Sequence, residues 1–160
     1  MPTLVEGECY LKFHLINKED NFKWILMAVY RLAHTLRGIS WLKWFGHAKQ
    51  NHLPTLMAGD FSILRKSTKK CNDRRNSRCP FLSSVVIDSF DLREIDLTGR
   101  QFTWADSLLT PTFEKLDRVL MSTEWESKYP LVPVHAKKGL SDHTPLLMDT
   151  DAHVFTGNMK

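Results

Sequence analysis

Three acidic residues and a histidine stand in contexts that suit phosphoryl chemistry. They are Asp60 in Ala58-Gly59-Asp60-Phe61-Ser62, Asp117 in Lys115-Leu116-Asp117-Arg118, and Asp142 and His143 in Ser141-Asp142-His143-Thr144-Pro145-Leu146. Cleaving a phosphodiester requires charge on the phosphorus oxygens to be neutralised, a water to be activated and the leaving oxygen to be stabilised. Carboxylates can hold a divalent cation that does the first and third, and Mg²⁺ suits such sites because it takes few protein carboxylates and keeps several waters. A histidine held in one orientation by a carboxylate can transfer a proton or donate to the phosphate. Singly, each residue has a plainer use. Asp60 after Gly59 can end a strand in a turn, Asp117 beside Arg118 can be half of a surface ion pair, and Asp142-His143 can cap a loop before Pro145.

The elements that must carry these residues can be read from pattern. Tyr10–Ile16 alternates in part, Asn17–Asn21 supplies turn residues, and Phe22–Tyr30 is strongly apolar, so a hairpin opens the fold. Leu36, Ile39, Leu42, Phe45 and Ala48 recur at helical spacing, which predicts a helix over Leu36–Asn51. Pro54 precedes a buried strand, Thr55–Asp60. Asn76 or Ser77 can cap a second helix with Pro80 in its first turn and Phe81, Leu82, Val85, Val86 and Phe90 on its apolar face. Short strands are expected around Leu92–Leu97, Phe102–Trp104 and Lys115–Met121, with Gly99 in a turn. Ser122 can cap a helix over Thr123–Tyr129 that Pro130 ends, and Val132–Ala136 and Leu146–Asp149 are the last strands. Helices and strands alternate first and strands dominate later, which suggests an α/β sandwich with mixed sheets.

Composition bounds the alternatives. Hydrophobic residues make up 42% and charged residues 25%, so the chain reads as globular rather than disordered. The apolar run Trp24–Tyr30 is too short to span a bilayer, and the N-terminus lacks the basic start and apolar core of a secretory signal. Three cysteines without a CxxC give neither a zinc site nor a disulfide scaffold. The net charge of +4 divides unevenly: residues 1–80 hold 14 Lys/Arg and 6 Asp/Glu (+8), and residues 81–160 hold 8 and 12 (−4). A basic half suggests a polyanionic partner. Its densest part, residues 65–78, contains Lys66, Lys69, Lys70, Arg74 and Arg75. That run is either a nucleic-acid backbone contact or a solvated loop.

In order, Gly59-Asp60-Phe61, Phe102-Thr103-Trp104, Leu116-Asp117-Arg118, Ser122-x-Glu124-Trp125 and Ser141-Asp142-His143-x-Pro145-Leu146 resemble the endonuclease domain of plant LINE-like non-LTR retrotransposons. That domain is a branch of the endonuclease/exonuclease/phosphatase family, which also contains DNase I and the apurinic/apyrimidinic endonucleases. The resemblance runs from about residue 22 to residue 149 of one domain. It implies an incomplete DNase I-like α/β sandwich of two packed mixed sheets with outer helices. It also implies a Mg²⁺- or Mn²⁺-dependent DNA endonuclease, nuclear or cytoplasmic, drawn from a larger retrotransposon polyprotein. Asp60 then matches the residue that positions or activates the water, and His143 the histidine at the scissile phosphate. Asp117 matches the carboxylate that orients that histidine, Asp142 a carboxylate near the metal, and Tyr30 a tyrosine on the phosphate. Trp104 falls where the family has an aromatic near DNA, although a core tryptophan fits the position equally.

The departures are as informative. Ser62 stands where the family has Asn, and it offers one short hydroxyl in place of an amide. Arg31-Leu32 follows Tyr30 in place of Gly-Pro. The family's early strands, which supply an Asn and a metal-binding Glu, have no match, since Glu6 and Glu8 lie too close to the Tyr30 strand. The expectation is an impaired or inactive endonuclease. The alternatives are a non-catalytic remnant that still binds nucleic acid and, ranked last, a hydrolase of lipid or small-molecule phosphate esters.

Overall fold

The computed structural model describes residues 3–7, 10–30, 53–61, 70–71, 87–88, 90–137 and 141–150. Its largest sheet has the order β1-β2-β3-β4-β10-β6. These strands are β1 (Thr3–Gly7), β2 (Tyr10–Ile16), β3 (Lys23–Val29), β4 (Thr55–Asp60), β6 (Leu92–Glu94) and β10 (Asp117–Ser122). The expected hairpin is β2–β3, paired from Tyr10↔Val29 to Ile16↔Lys23. Asn21 closes its turn at φ 56°, a left-handed conformation that asparagine tolerates well. Strand β1, which the sequence pattern did not suggest, extends the sheet by pairing with β2.

β3 and β4 run parallel, with Val29 beside Gly59. The crossover between them includes the helix expected over Leu36–Asn51, which lies outside the described residues. So does most of the helix expected before Phe90. The one described helix with a full turn is α1 (Thr123–Lys128), and Ser122 caps it as expected, its side chain accepting from the Trp125 amide. The same hydroxyl accepts the Thr55 amide at 3.1 Å, so the cap also fixes the start of β4.

Alternation along the central strands buries both faces of this sheet. Ile25, Met27, Val29, Met57 and Leu120 point to one side, where Phe61, Ile87 and Leu92 join them. Leu56, Val119 and Trp125 point to the other and meet Ile95 and Val134, with Trp24, Leu26, Leu97, Leu146 and Met148 packed around them. Leu97, Val134, Leu146 and Met148 belong to a second, three-stranded sheet of order β12-β11-β7, formed by β7 (Leu97–Thr98), β11 (Val134–Ala136) and β12 (Leu146–Met148). Two mixed sheets therefore pack face to face, the arrangement of an α/β sandwich. Gly99, at φ 89°, makes the turn after β7.

The strand expected over Lys115–Met121 begins only at Asp117. β9 (Phe113–Glu114) lies in a third small sheet with β5 (Lys70–Cys71) and β8 (Trp104–Ala105), in the order β5-β9-β8. Only β10 joins the large sheet. The chain changes sheets at Lys115-Leu116, and the residues expected to do chemistry gather at this seam.

Candidate active site

β4 ends on Asp60 and β10 begins on Asp117, and the antiparallel register places them opposite each other. Like charges in that relation repel, so an attraction must offset them. It comes from His143, whose Nδ1 lies 2.9 Å from Asp117 Oδ2. An ionised carboxylate only accepts hydrogen bonds, so Nδ1 carries the proton and Nε2 is the ring nitrogen left for other work. The Asp117 carboxylate is 14% exposed and the imidazole 37% exposed. Burial alone pulls the imidazole pKa down. The hydrogen bond to Asp117 and the charges of Asp117, Asp60 and Asp142 outweigh it, so the net shift is upward from 6.5.

His143 sits in a short loop that is tied down on several sides. Ser141 Oγ donates to Asp142 Oδ1 at 2.9 Å, and the His143 amide donates to the same carboxylate oxygen at 3.1 Å. The Asp142 carbonyl accepts from the Ala105 amide at 3.1 Å, and the Thr144 amide donates to the Thr103 carbonyl at 2.6 Å. The Trp104 indole N–H reaches Asp142 Oδ2 at 3.3 Å. The Ser141 hydroxyl, then the Trp104 indole, hold the Asp142 carboxyl below its ordinary pKa. Gly59, Asp117, Ser141, His143 and Thr144 line a cleft of about 420 Å³, a size that admits a small ligand or one reacting group of a larger one.

Asp60, Asp117 and Asp142 thus all lie near His143, and of the four only Asp117 and His143 line the cleft. Tyr30 follows β3 at the end where Asp60 follows Gly59, 40% exposed, outside the set that lines the cleft. Trp104 is half-buried and has a use the sequence did not suggest, as the tether of Asp142. Ser62, Lys66, Lys69, Arg74 and Arg75 lie outside the described residues. Of the basic run only the Lys70–Cys71 backbone is described. It pairs with β9, which in turn pairs with the strand carrying Trp104, so this point of the run is anchored in the sheet that holds the His143 loop.

The plainer reading of Asp117 and Arg118 as a surface ion pair does not hold. Successive strand residues face opposite ways, and Arg118, 2% exposed, turns to the far side and binds both Glu94 oxygens at 2.9 Å. Thr103 stands in the Phe102-Thr103-Trp104 segment, where the sequence suggests no role for it. It is fully buried, and its Oγ1 accepts from the Leu116 and Asp117 amides at 3.0 and 2.9 Å. A threonine in a short strand reads only as a β-former, so nothing local distinguishes it.

The donor set for a metal is thin. Among the described residues no group of three or more His, Cys, Asp or Glu side chains is placed to hold a metal ion. Both oxygens of Asp142, the residue expected at the metal, already accept hydrogen bonds. The described residues therefore do not by themselves fit a Mg²⁺ site.

No family model and no curated protein sequence matches the chain. Solved structures do. The endonuclease domain of TRAS1, a telomere-specific non-LTR retrotransposon, superposes with a TM-score of 0.66 at 12% identity, over 92% of this chain and 68% of that one. An endonuclease/exonuclease/phosphatase family protein from Bacteroides thetaiotaomicron gives 0.51 at 14% identity, over 87% of this chain and 54% of the other. D. rerio TDP2 complexed with single-strand DNA product gives 0.50 at 12% identity, over 92% of this chain and 67% of that one. At these identities the likeness establishes the fold, which is the α/β sandwich expected from the sequence. No helix among the described residues is long and apolar enough to cross a membrane.

Proposed function

We propose that the chain is a DNA phosphodiesterase domain of the endonuclease/exonuclease/phosphatase family, of the retroelement branch, with its histidine machinery intact and its metal-binding half weakened. The observation that carries this reading is the His143 Nδ1–Asp117 Oδ2 bond of 2.9 Å, beside Asp60 across the strand pair. Asp117 fixes the tautomer and the orientation of the ring, the same service a carboxylate performs in other His–Asp pairs. The Nε2–H of the protonated ring donates to a phosphate oxygen and offsets its charge. Asp60 accepts the proton of the attacking water.

Mg²⁺, or Mn²⁺, is the ion we propose for a complete version of this site. Because the described donors do not gather for it, no step here is assigned to it. Ser62, with one hydroxyl in place of an amide, weakens the phosphate contacts further. The outcome is slow nicking of DNA by a domain that worked within a larger retroelement protein in the nucleus or cytoplasm. Incubation with supercoiled plasmid in Mg²⁺, with EDTA and His143→Ala as controls, tests this. Weak nicking that disappears in His143→Ala supports it, and a folded sample that never nicks refutes it.

The thin donor set and the +8 balance of residues 1–80 favour a second reading, a nucleic-acid-binding domain without catalysis. It predicts DNA binding that weakens steeply with salt, survives His143→Ala and is accompanied by no nicking.

A further inference from the structure

The Asp117–His143 pair is long-range in sequence, and both halves converge on one buried residue. Between β9 and β10 the chain leaves one sheet for another, and there the amides of Leu116 and Asp117 both donate to Thr103 Oγ1, at 3.0 and 2.9 Å. The Thr103 carbonyl accepts the Thr144 amide at 2.6 Å, and its own amide donates to the Glu114 carbonyl at 3.0 Å. One partner therefore holds the backbone of Asp117, and another group of the same residue holds the position after His143. The junction reaches further, because the Leu116 carbonyl accepts the Phe61 amide at 3.1 Å, directly after Asp60. With 0% exposure, Thr103 cannot touch a substrate.

We propose that Thr103 is a positioning residue for the Asp117–His143 pair. Its hydroxyl fixes the start of β10 and its carbonyl fixes the His143 loop, so that the two side chains meet at hydrogen-bond distance. A bond of 2.9 Å is lost when either backbone shifts by about an ångström, since side-chain contacts near 3.6 Å no longer count as hydrogen bonds. Misplacement on that scale also disables catalytic geometry. A purely structural threonine would satisfy two buried amides and nothing more. The positioning role instead requires that the His143 ring respond to the loss of the Thr103 oxygen.

The test compares the unaltered chain with Thr103→Val, which keeps the shape and removes the oxygen, and Thr103→Ser, which keeps the oxygen. The direct readout is the His143 ring by ¹H–¹⁵N spectroscopy, where an Nδ1–H bonded to a carboxylate gives a resolved downfield resonance. We expect that resonance in the unaltered chain and in Thr103→Ser, and its loss in Thr103→Val below the unfolding temperature. A folded Thr103→Val sample with the resonance unchanged overturns the proposal. If Thr103→Val does not fold, Thr103→Cys, which replaces the oxygen with a larger and weaker acceptor, takes its place. A weakened or shifted His143 resonance supports the role, and an unchanged one overturns it. Nicking is scored alongside and rests on the proposed function: a 10²-fold loss in Thr103→Val with rescue in Thr103→Ser is expected. A ring signal that responds in samples that never nick would sustain the positioning role while the catalytic reading fails.

Discussion

Gly59→Ala is a severe test of how tightly the site is built. Gly59 has φ 134°, and a Cβ placed there would lie 2.0 Å from the Val29 carbonyl oxygen and 3.0 Å from its carbon. Both contacts are backbone, so no side-chain rotation relieves them. Restoring ordinary contact of about 3.4 Å means moving β3 from β4 by more than an ångström, in the middle of a buried sheet. Overpacking of this kind costs roughly 1–3 kcal/mol, and a residue with a side chain at such a φ adds about 1–2 kcal/mol. The sum, roughly 2–5 kcal/mol, is a large part of the 5–15 kcal/mol that typically holds a domain together. It corresponds to a fall in melting temperature on the order of 10 °C. Gly99→Ala is the control, because its Cβ would meet the Ala136 carbonyl at an ordinary 3.4 Å while φ is 89°. Its cost is confined to the backbone conformation, about 1–2 kcal/mol. Urea unfolding of both variants gives the comparison. Gly59→Ala within 1 kcal/mol of Gly99→Ala would refute the argument that the β3–β4 approach at this point excludes a side chain. Because Asp60 is the next residue, the same displacement is expected to remove any nicking activity.

Three further outcomes are expected. Asp117→Asn keeps the shape of the side chain but removes the charge that fixes the imidazole, so nicking should fall by roughly 10²–10⁴-fold and the His143 pKa should move down, read by NMR titration; an unmoved pKa would refute the pairing. In the unaltered chain the His143 pKa is raised above 6.5 by Asp117, Asp60 and Asp142 against the opposing pull of burial. The stability from that pairing is fully present below pH 6.5 and is lost as pH rises through the higher folded value, as is the donor that serves the phosphate. Unfolding free energies measured across that range should decline, and a rise there would contradict the assignment. Glu94→Gln removes the carboxylate that binds Lys115 Nζ at 2.6 Å and Arg118 NH1 at 2.9 Å in a nearly dry setting; a loss of about 3–5 kcal/mol is expected, and a change under 1 kcal/mol in urea unfolding would show that other partners suffice.

Local pattern determined a good deal. The hairpin turn at Asn17–Asn21, the strand Thr55–Asp60, the Ser122 cap and the turn at Gly99 all follow from side-chain periodicity and from what individual residues do to their own backbone. The order of the acidic segments and Ser141-Asp142-His143 carried a family resemblance that pointed to phosphoryl chemistry before any geometry was known. Tertiary structure decided which of these groups meet. Residues 60, 117 and 143 are far apart in the chain, and they converge only because the register pairs Asp117 with Asp60 and the loop is fastened to Thr103, Trp104 and Ala105. Register between distant strands depends on what each neighbour buries, which no window of sequence contains. The change of sheet between β9 and β10, which delays the expected strand to Asp117, was hidden for the same reason. So was the burial of Arg118 against Glu94, since a charged residue looks solvent-facing until the fold supplies its partner. Thr103 is the clearest case: its role consists of hydrogen bonds to backbone 13 and 14 residues away and to a loop beyond, and such bonds exist only once the chain has closed on itself.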